Sequence, residues 1–265
     1  MNTFEISGGE KLEGEIIPQG AKNESLQILC AVLLTDELIT IKNIPDIIDV
    51  NVLLNLLRNL GVKIVKKSDG CYSFKADKIN LDFLMSEDYI NESKKIRGSI
   101  MMIGPLLSRF GSAVIPKPGG DKIGRRSLDT HFDSLSELGG VIKYNKNKNF
   151  YFIEASNLKG KKIILSEPSV TGTANLIMAS VLASGKTTIY NAACEPYIQK
   201  LCFMLNSMGA DITGIKSNFL IIRGVKKLKG TDHTISPDFV EIGSWIGLAA
   251  MTKSKLIIKN VDFES

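Results

Sequence analysis

At 265 residues, 44% apolar and 23% charged, the chain has the composition of a globular protein with one large or two ordinary domains and a sizeable core. Its net charge of +5 comes from lysines scattered among few aromatics, which suits an anionic small molecule at least as well as nucleic acid. Four widely separated cysteines with no CxxC, and only two histidines, argue against a zinc site or a disulfide framework and fit a reducing cytoplasm, while the polar N-terminus and the lack of an 18-residue apolar run argue against a signal peptide or membrane span.

In chain order, Thr3–Ser7 and Gly14–Pro18 read as two short strands joined by a Gly-Gly turn. A helix starts near Asn23-Glu24-Ser25, with Leu26, Leu29, Cys30, Leu33 and Leu34 at helical spacing. Leu38–Lys42 has the β-branched alternation of a strand. A second helix over Val50–Leu60 ends at Gly61, and Val62–Val65 with Tyr72–Lys75 form a hairpin about Ser-Asp-Gly.

That order recurs. Segments SLQILCAVLL, SIMMIGPLLS, ANLIMASVLA and GSWIGLAAMT begin at Ser25, Ser99, Ala174 and Gly243, and a strand follows each within a few residues. In the first three units a second helix then closes on Leu60-Gly61, Leu138-Gly139 and Met208-Gly209, before two more strands. A period of 74, 75 and 69 residues implies a duplicated α/β fold of α+β repeats whose first helices are buried on most sides. The expected organisation is a complete three-repeat domain over residues 22–231. A second domain contributes residues 1–21 as N-terminal strands and 232–265 as the start of its incomplete remainder.

Pro116–Phe132 (PKPGGDKIGRRSLDTHF) cannot be the interior of a helix or a central strand at its start. Its glycines and prolines shape a loop carrying Asp121 among Lys117, Lys122, Arg125 and Arg126, and the periodicity of Leu128, Phe132, Leu135 and Leu138 seats it on a helix.

Four motifs in order, GAKNESL from Gly20, IRGSIMMIGPL from Ile96, PGGDKIGRRSLDTHF from Pro118 and PDFVEIG from Pro237, resemble the UDP-N-acetylglucosamine 1-carboxyvinyltransferase family of enolpyruvyl transferases. The resemblance implies the inside-out α/β barrel of that family, with the active site in a cleft between two domains. It also implies transfer of the enolpyruvyl group of phosphoenolpyruvate to the 3′-hydroxyl of UDP-N-acetylglucosamine in peptidoglycan synthesis, with no cofactor or metal and no nucleic-acid or membrane partner. By this likeness Lys22, Asn23 and Arg126 bind phosphoenolpyruvate. Arg97, Arg126, Ser127, Leu128, Asp129, Thr130, Ser169 and Val170 bind the UDP-sugar, and Asp121 is the proton donor. Glu195, Asp238 and Glu241 match family acids with structural or positioning roles. Three positions depart from the pattern. Asp121 stands where most members carry the cysteine that fosfomycin-type epoxides alkylate, Glu167 where a lysine is common, and Thr171 where a glycine is common. Because the family's general-base aspartate lies beyond residue 265, a separate C-terminal fragment is an expected partner. The alternative is a non-catalytic remnant or half-enzyme that binds UDP-sugar.

Overall fold

The computed structural model describes residues 3–119, 124 and 127–263. Three helical segments form its centre. The first, α1 (Lys22–Ala31), is buried from Glu24 to Ala31. It is followed by strand β2 (Ile39–Lys42), β1 (Glu13–Ile16) having come before it. The half-buried helix α2 (Ile48–Asn59) turns at Gly61, at φ +107°, into the hairpin β3 (Lys63–Ser68) and β4 (Cys71–Lys75). Glycine is needed there because a left-handed backbone ends the helix and a Cβ would lie 2.3 Å from the Lys78 carbonyl oxygen.

The next unit enters through a piece that periodicity did not foresee. A 3-10 turn, Leu81–Met85, and the short helix α3 (Glu87–Ser93) precede it. Ser86 caps α3 by accepting from the Tyr89 N–H, and the buried Tyr89 hydroxyl donates to Val114 O at 2.7 Å. A 3-10 turn over Arg97–Met102 then runs into α4 (Ile103–Phe110), so the expected single helix from Ser99 is split in two. Strand β5 (Ser112–Pro116), helix α5 (Asp129–Glu137) and the hairpin β6 (Val141–Asn145) and β7 (Phe150–Glu154) complete this unit.

The third unit runs β8 (Lys162–Ile164), α6 (Val170–Ser180), β9 (Lys186–Tyr190), α7 (Pro196–Ser207), β10 (Asp211–Thr213) and β11 (Phe219–Arg223). Then come β12 (Asp232–Thr234), α8 (Phe239–Thr252) and β13 (Lys255–Ile258). Helix α6 is buried from Gly172 to Ser180, like α1 and the stretch from Gly98 to Leu107. These three segments pack on one another inside three separate sheets, which is the helices-inside arrangement of an inside-out barrel. The sheets are ordered β12-β2-β4-β3, β5-β7-β6 and β8-β9-β11-β10. In the first and third, a parallel strand lies beside the strand that follows the buried helix.

Two pairings differ from the sequence reading. Residues 3–12 form no strand, with Phe4 and Ile6 almost fully exposed, and β1 lies parallel to β13 rather than in a hairpin. Alternation alone does not make a strand where no apolar face awaits it. Strand β12, just past the expected boundary at 231/232, adds in parallel to β2.

The chain therefore passes twice between the three-sheet body and the β1/β13 pair, at residues 17–21 and 235–238. The two passages run side by side, joined by Ala21 N–H to Ser236 O (2.8 Å) and Asp238 N–H to Gln19 O (2.9 Å), with Gly20 bridged to Pro237. At Gly20 a Cβ would lie 1.9 Å from the backbone oxygen of Asn43. Gly20→Ala is accordingly expected to cost about 2–3 kcal/mol of stability, because backbone on both sides must move. Equilibrium urea unfolding checks this, and an unchanged midpoint would contradict it.

Candidate active site

The N-terminal ends of the three buried segments meet at one cavity of about 670 Å³. Lys22 and Asn23 reach it from the first turn of α1, Arg97 and Gly98 from the 3-10 turn, and Ser169, Val170 and Thr171 from the start of α6. Free backbone N–H groups and the aligned peptide dipoles at three such ends favour negative charge.

The side chains extend that preference. Lys22 Nζ pairs with Asp49 Oδ2 at 2.6 Å, and Arg97 Nη2 donates to Ser127 O at 3.2 Å across the rim. Lys95, also at the wall, is drawn towards Glu92 at 2.6 Å. Glu167 adds a carboxylate whose Oε1 accepts from the Thr130 hydroxyl at 3.3 Å. Ser169 caps α6 by accepting from Gly172 N–H, leaving the preceding N–H groups of that turn unused by the cap.

Behind this wall lies a buried polar chain. His131, 2% exposed on α5, bonds through Nε2 to Thr171 Oγ1 (3.1 Å) and through Nδ1 to Asn175 Nδ2 (2.9 Å). Burial, and next the Arg97 charge, hold its pKa down at about 3, so the imidazole is neutral. Asn175 also accepts from Gly104 N–H (2.8 Å) and donates to Ile100 O (2.8 Å), joining α6 to the neighbouring buried segment. Tyr197, from α7, lines the same cavity and stacks on Phe239 of α8 with ring centres 5.2 Å apart. Burial raises its hydroxyl pKa, against an opposing hydrogen bond with Asn23.

Of the residues singled out from sequence, Lys22, Asn23, Arg97, Ser127, Ser169 and Val170 line this one cavity. Leu128, Asp129 and Thr130 do not line it. Leu128 is the residue before α5 and Asp129 its first, and Thr130 is buried against Ser166 and Glu167. Asp121 and Arg126 lie outside the described residues. Asp238 caps α8 by accepting from Val240 and Glu241 N–H and also accepts from Lys22 N–H at 3.2 Å, so one carboxylate holds the first turns of two helices. Glu241 accepts from Gln19 N–H at 3.0 Å in the crossing segment. Sequence reasoning missed Gln27, Asp49, Lys95 and Tyr197, which sit inside ordinary amphipathic or polar runs and become neighbours only through the tertiary fold.

Among the described residues, no helix is long and apolar enough to cross a membrane. The sequence profile of the EPSP synthase (3-phosphoshikimate 1-carboxyvinyltransferase) family matches residues 6–265. UDP-N-acetylglucosamine 1-carboxyvinyltransferase of Bacteroides fragilis is 58% identical over 265 residues, covering 100% of this chain and 61% of that protein. The protein of the same name from Porphyromonas gingivalis is 55% identical over 261 residues, covering 98% and 60%. The chain thus spans about three-fifths of the length of these relatives. Among solved structures, the enolpyruvyl transferase NikO from Streptomyces tendae superposes with a TM-score of 0.77 at 21% identity, over 90% of this chain and 55% of that one. EPSP synthase from Acinetobacter baumannii gives 0.72 at 17% identity, over 97% and 57%. The two structural likenesses establish a shared fold.

Proposed function

The chain belongs to the EPSP synthase family of enolpyruvyl transferases, and from that premise we propose that it transfers the enolpyruvyl group of phosphoenolpyruvate to the 3′-hydroxyl of UDP-N-acetylglucosamine, in the cytoplasm, for peptidoglycan synthesis. The observation that carries this reading is the meeting of three helix N-termini with Lys22 and Arg97 at one cavity, a place built for phosphate and carboxylate oxygens. The names of relatives 55–58% identical supply the substrates.

In the reaction, the sugar hydroxyl gives its proton to a general base as its oxygen bonds to the central carbon of phosphoenolpyruvate, whose terminal carbon takes a proton from the acid. Loss of phosphate from the central carbon and of a proton from the terminal carbon then restores the double bond. Lys22 and Asn23 hold phosphoenolpyruvate together with Arg126, whose planar fork suits a bidentate oxyanion. Arg97, Ser127, Leu128, Asp129, Thr130, Ser169 and Val170 hold or position the UDP-sugar. Asp121 supplies the proton. For this the carboxyl must carry its proton when the anionic substrates are bound, and negative charge beside a carboxyl favours that neutral form. The exposed apolar side chains of Ile246, Met251 and Ile257 suit coverage by a separate C-terminal segment, the further partner in this reading.

Calorimetric titration with UDP-N-acetylglucosamine tests the proposal. Saturable binding by the chain, weakened about tenfold or more by Arg97→Ala through loss of a charge-assisted contact, is the expected result. No heat at millimolar ligand would overturn it. A separate expectation concerns Asp121. With the UDP-sugar present, a fosfomycin-type epoxide should leave the native chain unmodified and add covalently to Asp121→Cys, since a thiolate attacks an epoxide far better than a carboxylate flanked by cations does. Intact-mass spectrometry decides, and an adduct on the native aspartate form would remove Asp121 from its assigned place.

A further inference from the structure

Hydrogen bonds behind the cavity fix which way one hydroxyl at its wall can donate. Asn175 Oδ1 accepts from the backbone N–H of Gly104, so Nδ2 is the donor end of that amide. Nδ2 gives one hydrogen to Ile100 O and the other to His131 Nδ1. An amide nitrogen cannot accept, so Nδ1 is the bare nitrogen and the imidazole proton sits on Nε2. Nε2–H faces Thr171 Oγ1 at 3.1 Å, which makes the threonine oxygen the acceptor in that contact. The hydroxyl's own hydrogen then has no use on the His131 side. Among the described residues no other group bonds the Thr171 hydroxyl, and its side chain lines the cavity.

We propose that the Thr171 hydroxyl, oriented by the buried His131–Asn175 pair, donates to a phosphate oxygen of the bound substrate and so is a specificity-determining contact of the site. Thr171 belongs to the first turn of α6, where backbone N–H groups already favour an anion, and its hydroxyl adds a donor whose direction is set before the ligand arrives. A bond from His131 also polarises the hydroxyl and strengthens its donation. His131 and Asn175 are positioning residues here, because they act through Thr171.

This inference rests on the proposed phosphate-bearing substrates, and the test separates the two. Titration of the chain with uridine diphosphate and, separately, with phosphoenolpyruvate is compared for the native protein, Thr171→Val and Thr171→Ser. Valine keeps the shape and removes the donor, and is expected to weaken one of the two ligands about tenfold or more, while serine stays within about twofold of native. The ligand affected identifies whose phosphate is held. Native binding of both ligands that Thr171→Val leaves intact overturns this inference alone, whereas failure of the native chain to bind either overturns the site reading as well. A second measurement needs no ligand. Nitrogen-15 spectra of the imidazole should show His131 as the neutral Nε2-protonated tautomer, and a proton on Nδ1 would overturn the proposed orientation.

Discussion

Asn175→Leu is expected to lower the unfolding free energy by about 4 kcal/mol, an effect out of proportion to one neutral side chain. Asn175 is fully buried, and its amide serves Gly104 N–H, Ile100 C=O and His131 Nδ1. Leucine has a similar volume, so the loss is one of polar satisfaction, with three buried groups left without partners at about 1–3 kcal/mol each before relaxation. Gly104 cannot move away cheaply, because it approaches α6 so closely that a Cβ there would lie 2.5 Å from the Asn175 carbonyl oxygen. For a chain of this length the same loss should lower Tm by about 10 °C. Denaturant unfolding with an unchanged slope and a lower midpoint is the expected record. A shift below about 1 kcal/mol would mean that water or rearrangement satisfies the three groups.

The contrast between Asn175 and Lys22 shows what a sequence makes legible. The repeating helix–strand–helix–hairpin units stand out because burial imposes a period on the chain, and that period survives in SLQILCAVLL and ANLIMASVLA whatever their neighbours are. Lys22 and Arg97 are legible only through the family likeness of GAKNESL and IRGSIMMIGPL, short motifs that hold each cation and the apolar helical segment after it together in sequence. Asn175 is one polar residue in an apolar run. Its partners Ile100, Gly104 and His131 lie 44 to 75 residues away, so no local pattern joins them. Asp49 and Tyr197 likewise reach the cavity from α2 and α7, helices whose amphipathic pattern explains them without a site. The parallel strands are hidden for a related reason. β12 pairs with β2 across about 190 residues, and β1 with β13 across about 240, and a three- or four-residue strand carries little pattern of its own. The crossing segments between them are where Gly20, Asp238 and Glu241 act, which gives those residues positioning work at the backbone.

Acid should expose His131 as a second weak point of the same polar chain. In the folded protein its imidazole stays neutral down to about pH 3, chiefly because it is buried and secondarily because Arg97 is near, whereas a free imidazole takes up a proton near pH 6.5. Between those values the unfolded chain binds one more proton than the folded chain, so stability falls as pH is lowered through this window and gains nothing from this group above it. The expected slope from this one residue is up to about 1.4 kcal/mol per pH unit. Carboxylates also titrate there, so the contribution is read as the difference between the native chain and His131→Gln, whose amide carries no titrating proton. Unfolding curves at pH 7, 6, 5 and 4 should converge on acidification, the native protein losing stability faster than the variant. Parallel pH dependences would show that His131 takes up its proton in the fold as readily as in the unfolded chain. That result would also conflict with the hydrogen bonding, since a proton on Nδ1 would set two donors, His131 and Asn175 Nδ2, against each other at 2.9 Å.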